Sequence, residues 1–266
     1  MSKIAQEHTL SEMLKFLKED FVEDFYLEIA KGNVPKHSDY GFFGLNGDID
    51  TVTYPQDIWS NGGIFTPPTT YRVHALVSAS ANDTAAGTGA RTLRIFGVVS
   101  TGLAEETITL NGVTPVNTVN SYSDIYRMVI FTSGSGLTNA GLITATAATD
   151  GTVTAAIQVN GYNSSRKGIR LIPPGYKGYI HDWQSSMTQT VASNSAINYL
   201  LTKTSTGLWI SRSVQTLFNS GASSLIIEYK TPLLLSAGEW VKVQCANVSA
   251  NNTTIQCNVN ITLVQD

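Results

Sequence analysis

The chain has 266 residues, 42% of them hydrophobic and only 14% charged, with a formal net charge of −3. Soluble domains carry roughly 25% charged residues; here Ser, Thr, Asn and Gly stand in their place, a composition that suits strands and tight turns rather than long helices. The slight negative balance leaves no electrostatic footprint for nucleic acid, no apolar run approaches the roughly 18 residues of a membrane span, and two cysteines cannot make a disulfide scaffold.

The N-terminus, MSKIAQEHTLSEM, has no apolar region of signal-peptide type, so the expectation is a soluble chain made in a reducing compartment. Charge is unevenly spread, with 15 of the 37 charged residues in the first 50 positions. That shift marks two physically different parts, residues 1–50 and 51–266. In the first part Thr9 and Glu12 have capping-box spacing. Leu10, Leu14, Leu17, Phe21, Phe25 and Ile29 then recur at steps of three or four, forming one apolar helix face. Gly32-Asn33 and Pro35 stop the helix. Phe16, Phe21, Phe25 and Tyr26 are a large aromatic load for one helix. Two readings stay open: the helix packs on its own β domain, or it is an anchor that buries its aromatic face against a partner or other copies. The glycine-rich stretch HSDYGFFGLNGDID (His37–Asp50) reads as a linker.

From Thr51 onward the pattern is strands and turns. Thr92–Val99 and Glu106–Leu110 alternate, with Asn111-Gly112 as the following turn. Tyr126–Thr132 is an apolar strand ended by Gly134-Ser135-Gly136. Ile143–Thr149 and Val153–Val159 flank Asp150-Gly151, a two-residue hairpin signal. Gly168–Ile172, a Pro173-Pro174-Gly175 turn and Tyr176–Trp183 follow. Later candidates are Asn198–Thr204, Leu208–Gln215, Leu225–Tyr229, Trp240–Ala246 and Thr254–Val264. The turn spacing suits one sandwich of jelly-roll type, and the lack of βαβ alternation counts against a nucleotide-binding α/β fold. The expected class is therefore mainly β: a jelly-roll-like antiparallel β-sandwich with an N-terminal helix and linker.

The last two strands suggest a register. If Asn251 centres a hairpin turn, Val241 faces Ile261, Val243 faces Val259, and Cys245 faces Cys257 on one apolar face. Lys242, Gln244, Asn258 and Asn260 then point the other way. The two thiols read as small buried hydrophobes rather than as a redox or metal pair, because no CxxC is present.

Catalytic motifs are missing. The sequence contains no GxxxxGK[ST], HExxH or GxSxG, and Gly87-Thr88-Gly89 is only a loop glycine pair. His181-Asp182 reads as a strand-end pair with its polar groups satisfied rather than half of an acid/base system. A glycosidase needs two carboxylates flanking a cleft, and the ten acidic residues beyond position 50 are scattered. Trp59, Trp183, Trp209 and Trp240 suit sugar stacking if exposed and a core if buried. The sequons at Asn163, Asn247 and Asn260 are read as a by-product of an Asn/Ser/Thr-rich surface.

Several separated blocks carry a family resemblance. Asp48–Thr70 (DIDTVTYPQDIWSNGGIFTPPTT), Ser78–Val98 (SASANDTAAGTGARTLRIFGV), Glu106–Val116 (ETITLNGVTPV), Thr132–Ala147 (TSGSGLTNAGLITATA) and Leu171–Trp183 (LIPPGYKGYIHDW) resemble a group of tailed-bacteriophage structural proteins. The resemblance covers roughly residues 33–183 and implies a β-sandwich virion component, often trimeric: a head decoration, head fibre or tail-fibre-associated protein. It brings no catalytic residues. The expectation is a homotrimeric virion protein, not an enzyme and without cofactor or metal, made in the host bacterial cytoplasm. It would dock on capsid or tail/fibre attachment proteins through Thr9–Lys31, by Leu10, Leu14, Leu17, Phe21, Phe25 and Ile29. The alternative is a carbohydrate-binding module of the phage tail that recognises a host surface glycan. A coplanar exposed tryptophan pair would mark that alternative; burial would mark a structural role.

Overall fold

Strands whose side chains alternate between interior and solvent dominate the structure, a computed structural model describing residues 25–159, 162–189, 194–204, 207–219 and 222–266. In chain order the elements are α1 (Phe25–Ala30), β1 (His37–Asp39), β2 (Phe42–Ile49), β3 (Gln56–Asp57), β4 (His74–Ser78), β5 (Ala90–Val99), β6 (Gly102–Thr109), β7 (Val116–Asn117) and β8 (Asp124–Ser133). They continue as β9 (Ile143–Ala147), β10 (Val153–Ile157), β11 (Ile169–Leu171), β12 (Tyr176–Thr188), β13 (Asn194–Lys203), β14 (Trp209–Asn219), β15 (Ala222–Leu235), β16 (Trp240–Val248) and β17 (Thr253–Gln265).

Eight of these strands make a two-layer sandwich. One sheet has the order β2-β17-β12-β15, the other β11-β16-β13-β14, and every pairing is antiparallel. Numbered one to eight along the chain, the strands fall as 1-8-3-6 and 2-7-4-5, the order of a jelly roll. β1 continues the β2 edge along β17, and β3 continues the β11 edge along β16. Inward residues of both sheets, among them Trp183, Leu200, Val243, Val259 and Ile261, form one core. Each such side chain contributes roughly 1.5–3 kcal/mol by leaving water, so this core closes on its own strands.

Between the first and second jelly-roll strands the chain builds a second sandwich. Its sheets run β10-β9-β4-β7 and β6-β5-β8 around Leu76, Leu93, Ile95, Ile125, Met128, Ile143 and Ile157. The Asp150-Gly151 turn closes β9 onto β10 as expected, with Gly151 at φ 68° and Thr149 at φ 71°. A third apolar cluster joins the sandwiches, Trp59, Phe65 and Val98 meeting Ile169, Leu171 and Trp240.

The mainly antiparallel β class of jelly-roll type stands, but the β part holds two sandwiches rather than one beginning at residue 51. The segment expected as a linker is strand: β1 and β2 pair with β17. Gly44 serves close approach rather than slack. A Cβ on Gly44 would lie 2.2 Å from the Ile58 carbonyl oxygen and 2.4 Å from the Gly168 nitrogen. Gly168 is equally confined: a Cβ there would lie 2.5 Å from that oxygen and 2.6 Å from the Cys257 sulfur. Strand β4 begins at His74, a residue expected to lie in a strand, and is buried at His74, Leu76 and Ser78.

The Asn251-centred pairing is also corrected. β16 and β17 lie in opposite sheets, so Cys245 sits beside Asn198 while Cys257 sits between Ser185 and Gly44. The apolar row is inward as expected, but its members face one another across the core. Alternation defines which face of a strand is apolar, and an adjacent strand or an opposed sheet satisfies that face equally well.

Candidate functional site

Of the expected docking residues, Leu10, Leu14, Leu17 and Phe21 lie outside the described residues. Phe25 and Ile29 sit on α1, which lies over the outer face of the β2-β17-β12-β15 sheet. Ile29 is buried, and the Phe25 ring meets His37 edge-on at 6.0 Å. Tyr26 Oη hydrogen-bonds His181 Nδ1 at 3.1 Å, and His181 Nε2 hydrogen-bonds Thr262 Oγ1 at 2.9 Å. Beneath the helix remains a cleft of 370 Å³ lined by Tyr26, Ile29, Ala30, Asp39, His181 and Thr262 among others. Helix α1 thus rests on its own β domain.

His181 and Asp182 are adjacent yet separately engaged. Asp182 accepts both of its bonds from Asn260 Nδ2, at 2.8 and 3.0 Å. Burial lowers the His181 pKa, and the Asp182 charge opposes that shift. Another cleft, of 470 Å³, opens between β2 and the inserted sandwich, with Asn46, Asp48, Ser60, Asn61, Gln158 and Arg166 on its walls. Ser60 Oγ there donates to the Arg166 carbonyl and accepts from the Arg166 amide. It is tied to backbone, with no base against it among these wall residues.

The tryptophans answer the question the sequence posed. Trp59, Trp183 and Trp240 are buried and Trp209 is half-buried. Trp183 Nε1 donates to Ser213 Oγ at 2.7 Å, and Trp59 Nε1 donates to the Gly63 carbonyl at 3.2 Å. Each therefore packs a core while its N–H finds a partner. No coplanar exposed tryptophan pair exists among the described residues.

The most charged part of the structure is internal, at the junction of the two sandwiches. Lys167 Nζ is hydrogen-bonded and ion-paired to Asp124 and donates to the Ile125 carbonyl at 3.2 Å. Its ammonium lies 4.2 Å from the Phe65 ring centroid. Lys242 pairs with Asp57 at 2.7 Å, and Asp57 also accepts from Gln244 Nε2 and the Phe65 amide. Arg170 is enclosed by the Tyr40, Phe42 and Tyr126 rings and donates to the Tyr126 carbonyl at 2.8 Å. Burial pulls both lysines below the ordinary lysine pKa, while the paired carboxylates resist that pull. Lys242 and Gln244 do point away from the core, but Asp57 binds both and the Trp209 ring centroid lies 4.4 Å from the Lys242 ammonium. A hint existed in the sequence: few charges are available, and these lie inside apolar strands.

A second polar centre organises the far end of the inserted sandwich. Asp83 accepts from Ser78 Oγ at 2.5 Å, Ala90 N at 2.7 Å, Ala140 N at 2.8 Å and Gly141 N at 3.0 Å. Its own carbonyl accepts from Gly112 N at 2.7 Å. A Cβ on Gly89 would lie 2.1 Å from the carboxylate, so glycine is required there. The loop at Ala140-Gly141 is thereby fastened to a buried carboxylate that also holds Ser78 and Ala90, while Gly112 is held by the same residue's carbonyl.

Cys245 and Cys257 are free, buried thiols, and burial pushes each pKa up to about 12. Thiolate chemistry at neutral pH is suppressed accordingly. No group of three or more His, Cys, Asp or Glu side chains with metal-binding geometry occurs among the described residues.

No protein-family model matches the chain, and no curated protein matches it. Solved structures similar to it include the naturally occurring empty top component of cowpea mosaic virus, at 8% identity over 76% of this chain and 83% of that one, with a TM-score of 0.22. An empty virus-like particle of the same virus gives 7% identity, coverages of 77% and 83%, and a TM-score of 0.22. The Gt strain of infectious bursal disease virus gives 8% identity, coverages of 87% and 78%, and a TM-score of 0.16. These are weak likenesses to viral particles, at scores too low to carry an argument. The jelly-roll assignment rests instead on strand order.

Proposed function

We propose that this protein is a structural component of a bacteriophage virion: a surface, decoration or fibre-type protein that self-associates as a homotrimer and attaches to other virion proteins through its N-terminal segment. On this reading it has no catalytic role and needs no cofactor or metal. The observation that carries the reading is the Asp83 centre. Three separately recognised blocks, Ser78–Val98, Glu106–Val116 and Thr132–Ala147, meet there through hydrogen bonds to one residue. The resemblance therefore follows one packed feature rather than scattered matches of composition. Tryptophan burial favours this structural role over the glycan-binding module, since the expected stacking platform is missing among the described residues.

The test is mass spectrometry of particles purified from the virus that encodes the chain, with antibody labelling to locate it. The chain is expected among the particle proteins, at a copy number divisible by three. Its absence from purified particles overturns the reading. Phe21→Asp combined with Phe25→Asp is expected to leave the β sandwiches folded and to yield particles lacking the protein. Normal incorporation of that variant removes the N-terminal segment as the attachment element.

A further inference from the structure

We propose that the β14–β15 margin of the jelly roll is the surface through which copies of this chain join, β14 of one copy lying against β15 of the next. The inference rests on the self-association in the reading above and names the surface responsible. β14 and β15 are the terminal strands of their sheets, pairing only with β13 and β12 among the described residues. They span 11 and 14 residues, so each leaves a long row of backbone donors and acceptors without a ladder partner. The pairing of β15 with β12 runs in unbroken register from Ala222 to Glu228 and shifts beyond it.

Exposed apolar side chains concentrate on these two edge strands. Seven of the twenty large exposed apolar residues among the described residues fall between Leu208 and Leu234, a stretch of about one tenth of the chain. They include Ile210, Val214 and Phe218 on β14 and Leu225, Ile226 and Leu234 on β15. Scattered exposed apolar residues are ordinary, but such a concentration on two free edge strands points to an interface.

The occupant is a second copy because the two strands complement each other. Both are apolar and of similar length. Arg212 on β14 and Glu228 on β15 are exposed, and neither has an ion-pair partner among the described residues. A neighbour presenting β15 to β14 supplies apolar cover, edge partners and the missing opposite charge. The two surfaces are unlike, so the contact is head-to-tail, and the homotrimer of the reading above is the ring into which such a contact closes.

The test uses the full chain and sedimentation equilibrium at micromolar concentration. Wild type is expected to sediment as an assembly. Arg212→Glu and Glu228→Arg are each expected to shift it toward the 28.6 kDa single chain, and the double reversal to restore the assembly. Val214→Asp with Phe218→Asp is expected to give single chains with an unchanged circular dichroism spectrum. Wild type sedimenting as a single chain, or the apolar variant remaining assembled, overturns the inference. A protein found in particles whose assembly survives every margin variant overturns this inference and leaves the virion reading intact. One that assembles through the margin but is absent from particles overturns only the virion reading.

Discussion

At one lateral margin of the jelly roll, β11 and β3 lie under the inserted sandwich, and three cations, Lys167, Arg170 and Lys242, are buried among carboxylates and aromatic rings. At the opposite margin β14 and β15 end their sheets in the open, with Val214, Phe218 and Ile226 in solvent. At these two margins charge is dry and apolar surface is wet, the reverse of the usual distribution. A buried ion pair adds little net stability, but it punishes any packing that leaves one charge alone. Such pairs suit a junction whose geometry must be single-valued. The open margin has no such constraint and is suited to a partner that arrives after folding.

The largest effect that would break this comparison is at the junction. Asp124→Ala leaves the Lys167 ammonium buried without its carboxylate and is expected to cost about 3–5 kcal/mol in urea denaturation. Asp57→Ala should behave similarly through Lys242. Arg94→Ala, which removes an ion pair whose side chains are 41% and 51% exposed, is expected to cost less than about 1 kcal/mol. Equal losses for the buried and exposed pairs would dissolve the distinction drawn here.

Acid should weaken the inserted sandwich through His74. Its Nδ1 donates to the Arg72 carbonyl at 2.9 Å, its Nε2 is buried without a partner, and burial pulls its pKa from 6.5 down to about 4. Between those values the unfolded chain binds more protons than the folded one. Stability is therefore full above pH 6.5, falls as pH drops toward 4, and levels off below that, a loss on the order of 3 kcal/mol. His74→Phe is expected to remove this part of the slope between pH 7 and pH 4. A variant with the same slope as wild type would assign the acid sensitivity elsewhere.

A smaller loss is expected where backbone meets backbone. Gly44→Ala places a methyl against the Ile58 carbonyl and the Gly168 nitrogen, and should cost about 1–3 kcal/mol, read as a lowered Tm. At the open margin, Val214→Lys is expected to change monomer stability by no more than about 0.5 kcal/mol while altering association. A Val214→Lys chain that unfolds would show that this margin belongs to the core.

The β2 glycines show why part of the fold was not legible in sequence. Gly41, Gly44 and Gly47 read as slack in a polar stretch, and in sequence a glycine needed for a hinge is the same as one needed for close packing. Phe42, Gly44, Asn46 and Ile49 alternate inward only once β17 is known to lie alongside. Asp83 likewise appears as an isolated acid until folding brings Ala90, Ala140 and Gly141 to it. The face of Lys242 was readable from alternation, but its buried ion pair depends on Asp57, almost two hundred positions earlier in the chain.

The sequence by itself determined the antiparallel β class, the inward faces of β16 and β17 and the turn at Asp150-Gly151. All three follow from interactions within a few residues, where side-chain period and left-handed backbone preference act directly. Tertiary structure alone decided that β16 and β17 oppose each other across a core instead of pairing. It also decided that a second sandwich interrupts the jelly roll after its first strand, and that β14 and β15 are left open. An alternating strand offers the same backbone ladder and the same apolar face to any partner, so the choice falls to the packing of the whole chain.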